Sequence, residues 1–249
     1  MAKIDEELKA SKKYYLEEEK GFTVKDGRPL VKLSKDNVAR VEAMIHHNSD
    51  YGSAFDVMNP VKSACKFQEL KKVLEGTEVK SKKAYRELIE EVVALLDKEN
   101  STHLNTDGCG IKAISKRIAD IEQDELVYLL KNPKETDYKL IEIIAKETKP
   151  VGQSDKGNPH RGRRNLSFAS KFCHYACFYL FDGKHRDNYS IYDSIVNKAL
   201  PSYMERYGIE KKRITTYAEY QEAIDEVIKK SKSGISRNGF DHLLWYCYK

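Results

Sequence analysis

The sequence predicts a mainly α-helical protein of two helical lobes with a cleft between them, and one small β-hairpin near the N-terminus. Three observations predict it. Apolar residues recur every three or four positions through most of the chain. Strand-like signals are few and centre on one Asp-Gly pair. The 33% charged and 40% hydrophobic residues describe an ordinary water-compatible chain long enough to bury a core.

Helical periodicity runs over residues 3–19, 35–47, 61–74, 81–97, 111–121, 124–131, 138–147, 165–181, 194–207, 217–230 and 236–248. Within residues 81–97, Tyr85, Leu88, Ile89, Val92, Val93, Leu95 and Leu96 form one apolar stripe, read as core. Residues 22–33 (FTVKDGRPLVKL) place Asp26-Gly27 between two short β-prone runs, a hairpin signal. No internal repeat is evident. Residues 1–100 read as a helical scaffold and residues 101–249 as the part that carries the chemistry, the two forming lobes of one unit.

No run of 18 apolar residues suggests a membrane span, and the Lys- and Glu-rich N-terminus lacks the apolar core of a secretory signal. Five scattered cysteines point to reduced thiols and a cytoplasmic protein, nucleoid-associated if the source is prokaryotic. Cys173 and Cys177 share a helical face beside His174, but no second ligand pair has zinc-like spacing, so they read as small core residues.

Lys171 is the only Lys, Arg, Asp or Glu in residues 165–181 (NLSFASKFCHYACFYLF), a helical stretch with Asn165 at its N-cap position. Its helical neighbours are Ser167, Phe168, His174 and Tyr175, none of them a carboxylate. A lysine among apolar groups is a candidate nucleophile, because desolvation favours the neutral amine. The plainer reading is a lysine snorkelling from a mostly buried helix. Asp193, 22 residues on, follows an extended run (Tyr189, Ile191, Tyr192) and precedes a helical pattern. It reads as an N-cap, and a capping carboxylate held at a helix start also suits a group that stabilises positive charge.

SFASKFCHY followed by SIYDSIVNKAL resembles the lysine helix and aspartate turn of the helix-hairpin-helix superfamily of DNA glycosylases, and within it the archaeal 8-oxoguanine DNA glycosylases. Near the C-terminus, GFDHLLWYCYK sets Asp241 and Trp245 at i,i+4, similar to the Asp-x-x-x-Trp pair with which that family holds an extruded base. The resemblance covers residues 161–249. It implies a DNA-glycosylase-like fold, Lys171 and Asp193 as catalytic residues, and base recognition by Asp241 and Trp245. Phe168 or Tyr175 add further stacking, and His174 is either a proton shuttle or structural. Three departures stand out. The lysine-to-aspartate spacing is short for the archaeal enzymes, Ser194 follows Asp193, and the cysteines lack iron–sulfur spacing.

A rival lysine lies in Gly108-Cys109-Gly110-Ile111-Lys112-Ala113, which resembles the Gly-x-Gly hairpin that turns backbone N–H groups toward DNA phosphates. Lys112 stands two residues after the second glycine, where eukaryotic-type enzymes carry their lysine, but its charged helix predicts a solvated side chain. Arg161, Arg163 and Arg164 lie on a Gly-containing basic loop that leads into the Lys171 helix, suited to following a phosphate backbone or simply solvated.

The implied activity is a glycosylase/AP lyase of base excision repair. It extrudes a damaged base, 8-oxoguanine first, attacks C1′ with Lys171, and cleaves the strand by β-elimination. The expected partner is double-stranded DNA bearing a damaged base; the expected state is a monomer; the chemistry calls for no metal and no organic cofactor. Two alternatives stay open: a non-catalytic helical DNA-binding protein, and a glycosylase for another modified base.

Overall fold

The computed structural model describes residues 15–47, 62–100, 102–104, 110–146, 165–210 and 213–249. Among these residues stand ten helices and one two-stranded antiparallel hairpin, the mainly helical fold that the periodicity predicts. The chain divides into two compact units that are not consecutive in sequence. Met1–Pro60 groups with Ser190–Lys249, and Val61–Tyr189 forms the other.

In the first unit, β1 (Glu18–Thr23) pairs with β2 (Pro29–Val31). Gly27 supplies the positive φ of 85° that the connecting turn requires, as the Asp26-Gly27 signal predicts. The helix expected over residues 3–19 does not reach its predicted end, because Glu18 and Glu19 lie in β1; residues 1–14 are outside the described residues. The backbone of Glu17 shows why. Its carbonyl accepts from Lys32 N (2.8 Å) and Asn37 Nδ2 (2.9 Å), while its N–H donates to Asn37 Oδ1 (3.0 Å). Both backbone groups are satisfied by the hairpin and by Asn37, leaving no call for a helical ladder.

Asn37 lies in the first turn of α1 (Lys35–His47), where Ser34 Oγ accepts from its N–H at 3.1 Å. Three more helices complete this unit: α8 (Ser194–Arg206), α9 (Tyr217–Ser231) and α10 (Arg237–Tyr248). Thr216 and Glu219 form a reciprocal capping box at the start of α9, and Ser236 caps α10 through Gly239 N at 3.1 Å. Gly239 also lets α10 approach α1, since a Cβ there would meet Val38 Cγ1 at 3.1 Å. Tyr203 of α8 donates to Val31 O at 2.6 Å, joining helix to hairpin.

The second unit holds α2 (Lys62–Leu74), α3 (Lys82–Asn100), α4 (Gly110–Ala119), α5 (Gln123–Lys131), α6 (Lys139–Ala145) and α7 (Leu166–Leu180). The α3 stripe is core as read: Tyr85, Leu88, Ile89, Val92, Val93 and Leu96 are buried, with Leu95 half-buried. Helix α7 runs through the middle, against α2, α3, α5 and α6. Its Phe168, Phe172, Cys173, Ala176, Cys177 and Leu180 are buried. Each large apolar side chain buried in this way contributes roughly 1.5–3 kcal/mol of transfer free energy. Asn165 occupies the N-cap position without a side-chain cap bond; its N–H donates instead to Ala145 O at 3.0 Å, tying α7 to the end of α6.

Candidate functional site

Lys171 is the one Lys or Arg of α7, half-buried among buried neighbours. Its Nζ approaches the carbonyl oxygen of Asn100 at 3.4 Å, a long and weak hydrogen bond. Asn100 is the last residue of α3, so the amine meets the electronegative end of that helix. One turn on, Tyr175 donates to Asn100 Oδ1 at 3.3 Å, and Asn100 Nδ2 donates back to Leu96 O at 3.1 Å. Asn100 therefore gathers Lys171 and Tyr175 at one point, and nothing in the sequence singled it out.

The other α7 residues are placed differently. Phe168 is 1% exposed, its ring stacked on Phe172 (6.4 Å between centroids) in the core. The Tyr175 ring stacks on Tyr179 at 6.2 Å. His174 is buried, and its Nδ1 lies 2.8 Å from the carbonyl oxygen of Tyr189. A carbonyl only accepts, so Nδ1 carries the proton and the imidazole pins the chain just ahead of Ser190. Cys173 and Cys177 are fully buried, in line with their reading as core; burial pushes both thiols well above the usual range, and Cys177 Sγ donates to Leu130 O at 3.4 Å.

Near the end of α3, Asp97 is 8% exposed and accepts from Thr102 Oγ1 and from Leu104 N (3.0 Å). Gly110 opens α4 against Leu104: a Cβ would stand 2.3 Å from the Leu104 carbonyl oxygen. Glycine is demanded at Gly110 by close backbone approach. Lys112, two residues on, is exposed, as its charged helix predicts. Gly108, Arg161, Arg163 and Arg164 lie outside the described residues.

The aspartates belong to the first unit. Asp193 is the N-cap of α8, with Oδ1 accepting from Ile195 N (2.9 Å) and Val196 N (3.2 Å). The capping reading is thereby met. Oδ2 accepts no hydrogen bond from the described residues, so one carboxylate atom is anchored and the other is available.

The segment leading to Asp193, outside any helix or strand, is held by three side chains. Tyr217 donates to Ser190 O at 2.6 Å, Tyr220 donates to Ile191 O at 2.6 Å, and Ile191 N donates to Asp241 Oδ2 at 3.0 Å. Asp241 is 6% exposed, and burial together with the Asp241 carboxylate pushes the Tyr220 phenol well above its ordinary 10.0. The phenol thus stays a donor. Tyr217 and Tyr220 also escaped the sequence reading. Their signal was faint: two tyrosines three apart, one inside a Thr-x-x-Glu capping box and one just after it. Trp245, one turn beyond Asp241, is half-buried, with the Lys249 ammonium 4.5 Å from its ring centroid.

Lys171, Tyr175, His174 and Phe168 thus belong to the second unit, and Asp193, Asp241 and Trp245 to the first. Among the described residues, no group of three or more His, Cys, Asp or Glu is placed to hold a metal ion, and no helix is long and apolar enough to cross a membrane. Comparison with protein-family models, with curated proteins and with solved structures finds no match for this chain.

Proposed function

We propose that this protein is a DNA glycosylase with AP lyase activity. In this reading it acts on a damaged or modified base of double-stranded DNA, 8-oxoguanine first. The observation that carries it is the state of Asp193. One oxygen is locked by the first turn of α8 and the other accepts nothing from the described residues. A carboxylate held so rigidly stabilises developing positive charge without reorganising, which suits the sugar as its glycosidic bond loosens.

Lys171 supplies the second part. Its Nζ meets the Asn100 carbonyl at 3.4 Å, and it lies on a helix walled by aromatic and apolar side chains. The amine adds to C1′ as the base leaves with one amine proton; opening of the C1′–O4′ bond, its oxygen taking the other, gives the Schiff base, and loss of the C2′ proton then expels the 3′ phosphate in β-elimination. Extrusion of the base costs unstacking energy that is lowest for a lesion. Trp245 and Tyr175 offer rings for stacking on it, while Asp241 recognises a ring N–H.

Borohydride trapping tests the reading. Wild type, Lys171→Gln and Lys112→Gln are incubated with a duplex holding one 8-oxoguanine and with an abasic duplex. An adduct lost only in Lys171→Gln is the expected result. Loss only in Lys112→Gln moves the nucleophile to the Gly-x-Gly hairpin. No adduct from wild type on either duplex leaves a DNA-binding scaffold as the better account.

A further inference from the structure

The peptide of Ile191 is gripped from both ends. Its N–H donates to Asp241 Oδ2 at 3.0 Å, and its carbonyl accepts from the Tyr220 hydroxyl at 2.6 Å. Both gripping side chains are buried, Tyr220 completely. They come from different helices, Tyr220 from α9 and Asp241 from α10, 29 and 50 residues away along the chain. Two residues after Ile191 stands Asp193. The Tyr192 ring between them meets Tyr220 edge-on at 5.0 Å. The preceding residue is held too, since Tyr217 donates to Ser190 O and in turn accepts from Gln221 Nε2 at 2.6 Å.

Hydrogen bonds at 2.6–3.0 Å from buried side chains to a half-buried peptide are firm restraints. A segment outside helix and strand would otherwise keep several backbone conformations, and the carboxylate at its end would move with them. Asp193 caps α8 through one oxygen only, so the cap alone leaves rotation about that contact. The grip on Ile191 removes the remaining freedom from the upstream side.

We propose that Tyr220 and Asp241 are positioning residues for Asp193, setting the direction of its second carboxylate oxygen by clamping the Ile191 peptide between α9 and α10. This rests on the glycosylase reading for its consequence in catalysis and gives Asp241 a role besides base recognition. The geometric part stands without that reading.

Two measurements test it. The first needs no substrate: a double-mutant cycle in urea unfolding, with Asp193→Ala made in wild type and in Tyr220→Phe. If the clamp positions Asp193, the shift in midpoint caused by Asp193→Ala falls to about half or less in the Tyr220→Phe background, because neighbours that share a restraint are non-additive. Equal shifts overturn the proposal, even if no activity is found.

The second is single-turnover excision on the modified-base duplex beside borohydride trapping on an abasic duplex. Tyr220→Phe and Asp241→Ala are expected to slow excision about tenfold to a hundredfold, the scale of small misplacements of a reacting group. Trapping through Lys171 should stay within about twofold for Tyr220→Phe, because it does not draw on the clamp. Asp241→Asn keeps an oxygen that accepts from Ile191 N, so it should recover most of the excision rate. Loss as deep in Asp241→Asn as in Asp241→Ala assigns Asp241 to charge-dependent base reading and overturns its positioning role. A wild type that neither excises nor traps defeats the glycosylase reading and leaves the urea cycle to decide the clamp.

Discussion

The carbonyl oxygen of Leu104 stands 2.3 Å from where a Cβ on Gly110 would be, so the first turn of α4 rests directly on the backbone that precedes it. That backbone is anchored in turn, because Leu104 N donates to the buried Asp97 carboxylate. Gly110→Ala should therefore destabilise the protein by about 1–3 kcal/mol, the usual cost of forcing a methyl into a filled space. The gain in helix propensity, about 1 kcal/mol at most, does not offset it. A lowered Tm by calorimetry is the expected outcome; an unchanged or raised one would show that the turn yields without cost.

Asp193 separates cap from catalyst by a single atom exchange. Asn caps helices as well as Asp does, so Asp193→Asn should leave Tm nearly unchanged, whereas Asp193→Ala should cost about 0.5–2 kcal/mol. Under the proposed glycosylase activity, base excision should fall in both variants, by about a hundredfold or more, since neither Asn nor Ala carries a charge to stabilise the sugar. Excision that persists in Asp193→Asn would reduce the residue to a helix cap.

Arg28 joins the hairpin to the end of α10, donating to Cys247 O (2.9 Å) and Tyr248 O (2.8 Å) with its guanidinium 5.3 Å from the Tyr248 ring centroid. A cation at a helix C-terminus meets the partial charge of the last carbonyls. Arg28→Ala should cost about 1–2 kcal/mol, read from the urea midpoint at constant m. Arg28→Lys should recover only part of it, because an ammonium does not span two carbonyls as the planar fork does.

Buried phenols set a limit on alkaline stability. Burial pushes Tyr85, Tyr179 and Tyr248 up to about 12, and Tyr220 and Tyr203 well above 10.0. A raised folded value means that the unfolded chain gives up these protons first. Stability is then fully present below pH 10 and is lost as pH rises from there through about 12. The expected observation is a tyrosinate absorbance step that coincides with loss of helical circular dichroism. Smooth titration of all tyrosines with the fold intact would contradict the burial.

Much of this protein follows from local sequence. The helices lie close to where apolar periodicity puts them, because burying one stripe of a helix needs only residues three and four apart. The Asp26-Gly27 turn and the Asp193 cap are legible for the same reason: each satisfies backbone groups within a few residues of itself. The solvated Lys112 and buried Cys173 and Cys177 also follow from the company each keeps on its own helix.

What the tertiary structure decided involves pairs far apart in sequence. The start of the Glu18–Thr23 strand is one case, the backbone of Glu17 just ahead of it being taken up by Lys32 and Asn37. Asn100 meeting Lys171 and Tyr175 across about 70 residues is another, and Tyr220 and Asp241 meeting Ile191 is a third. The grouping of Met1–Pro60 with Ser190–Lys249 is of the same kind. No periodicity encodes such partners. A buried N–H or carbonyl must be satisfied by something, but which distant side chain reaches it is settled only when the helices pack.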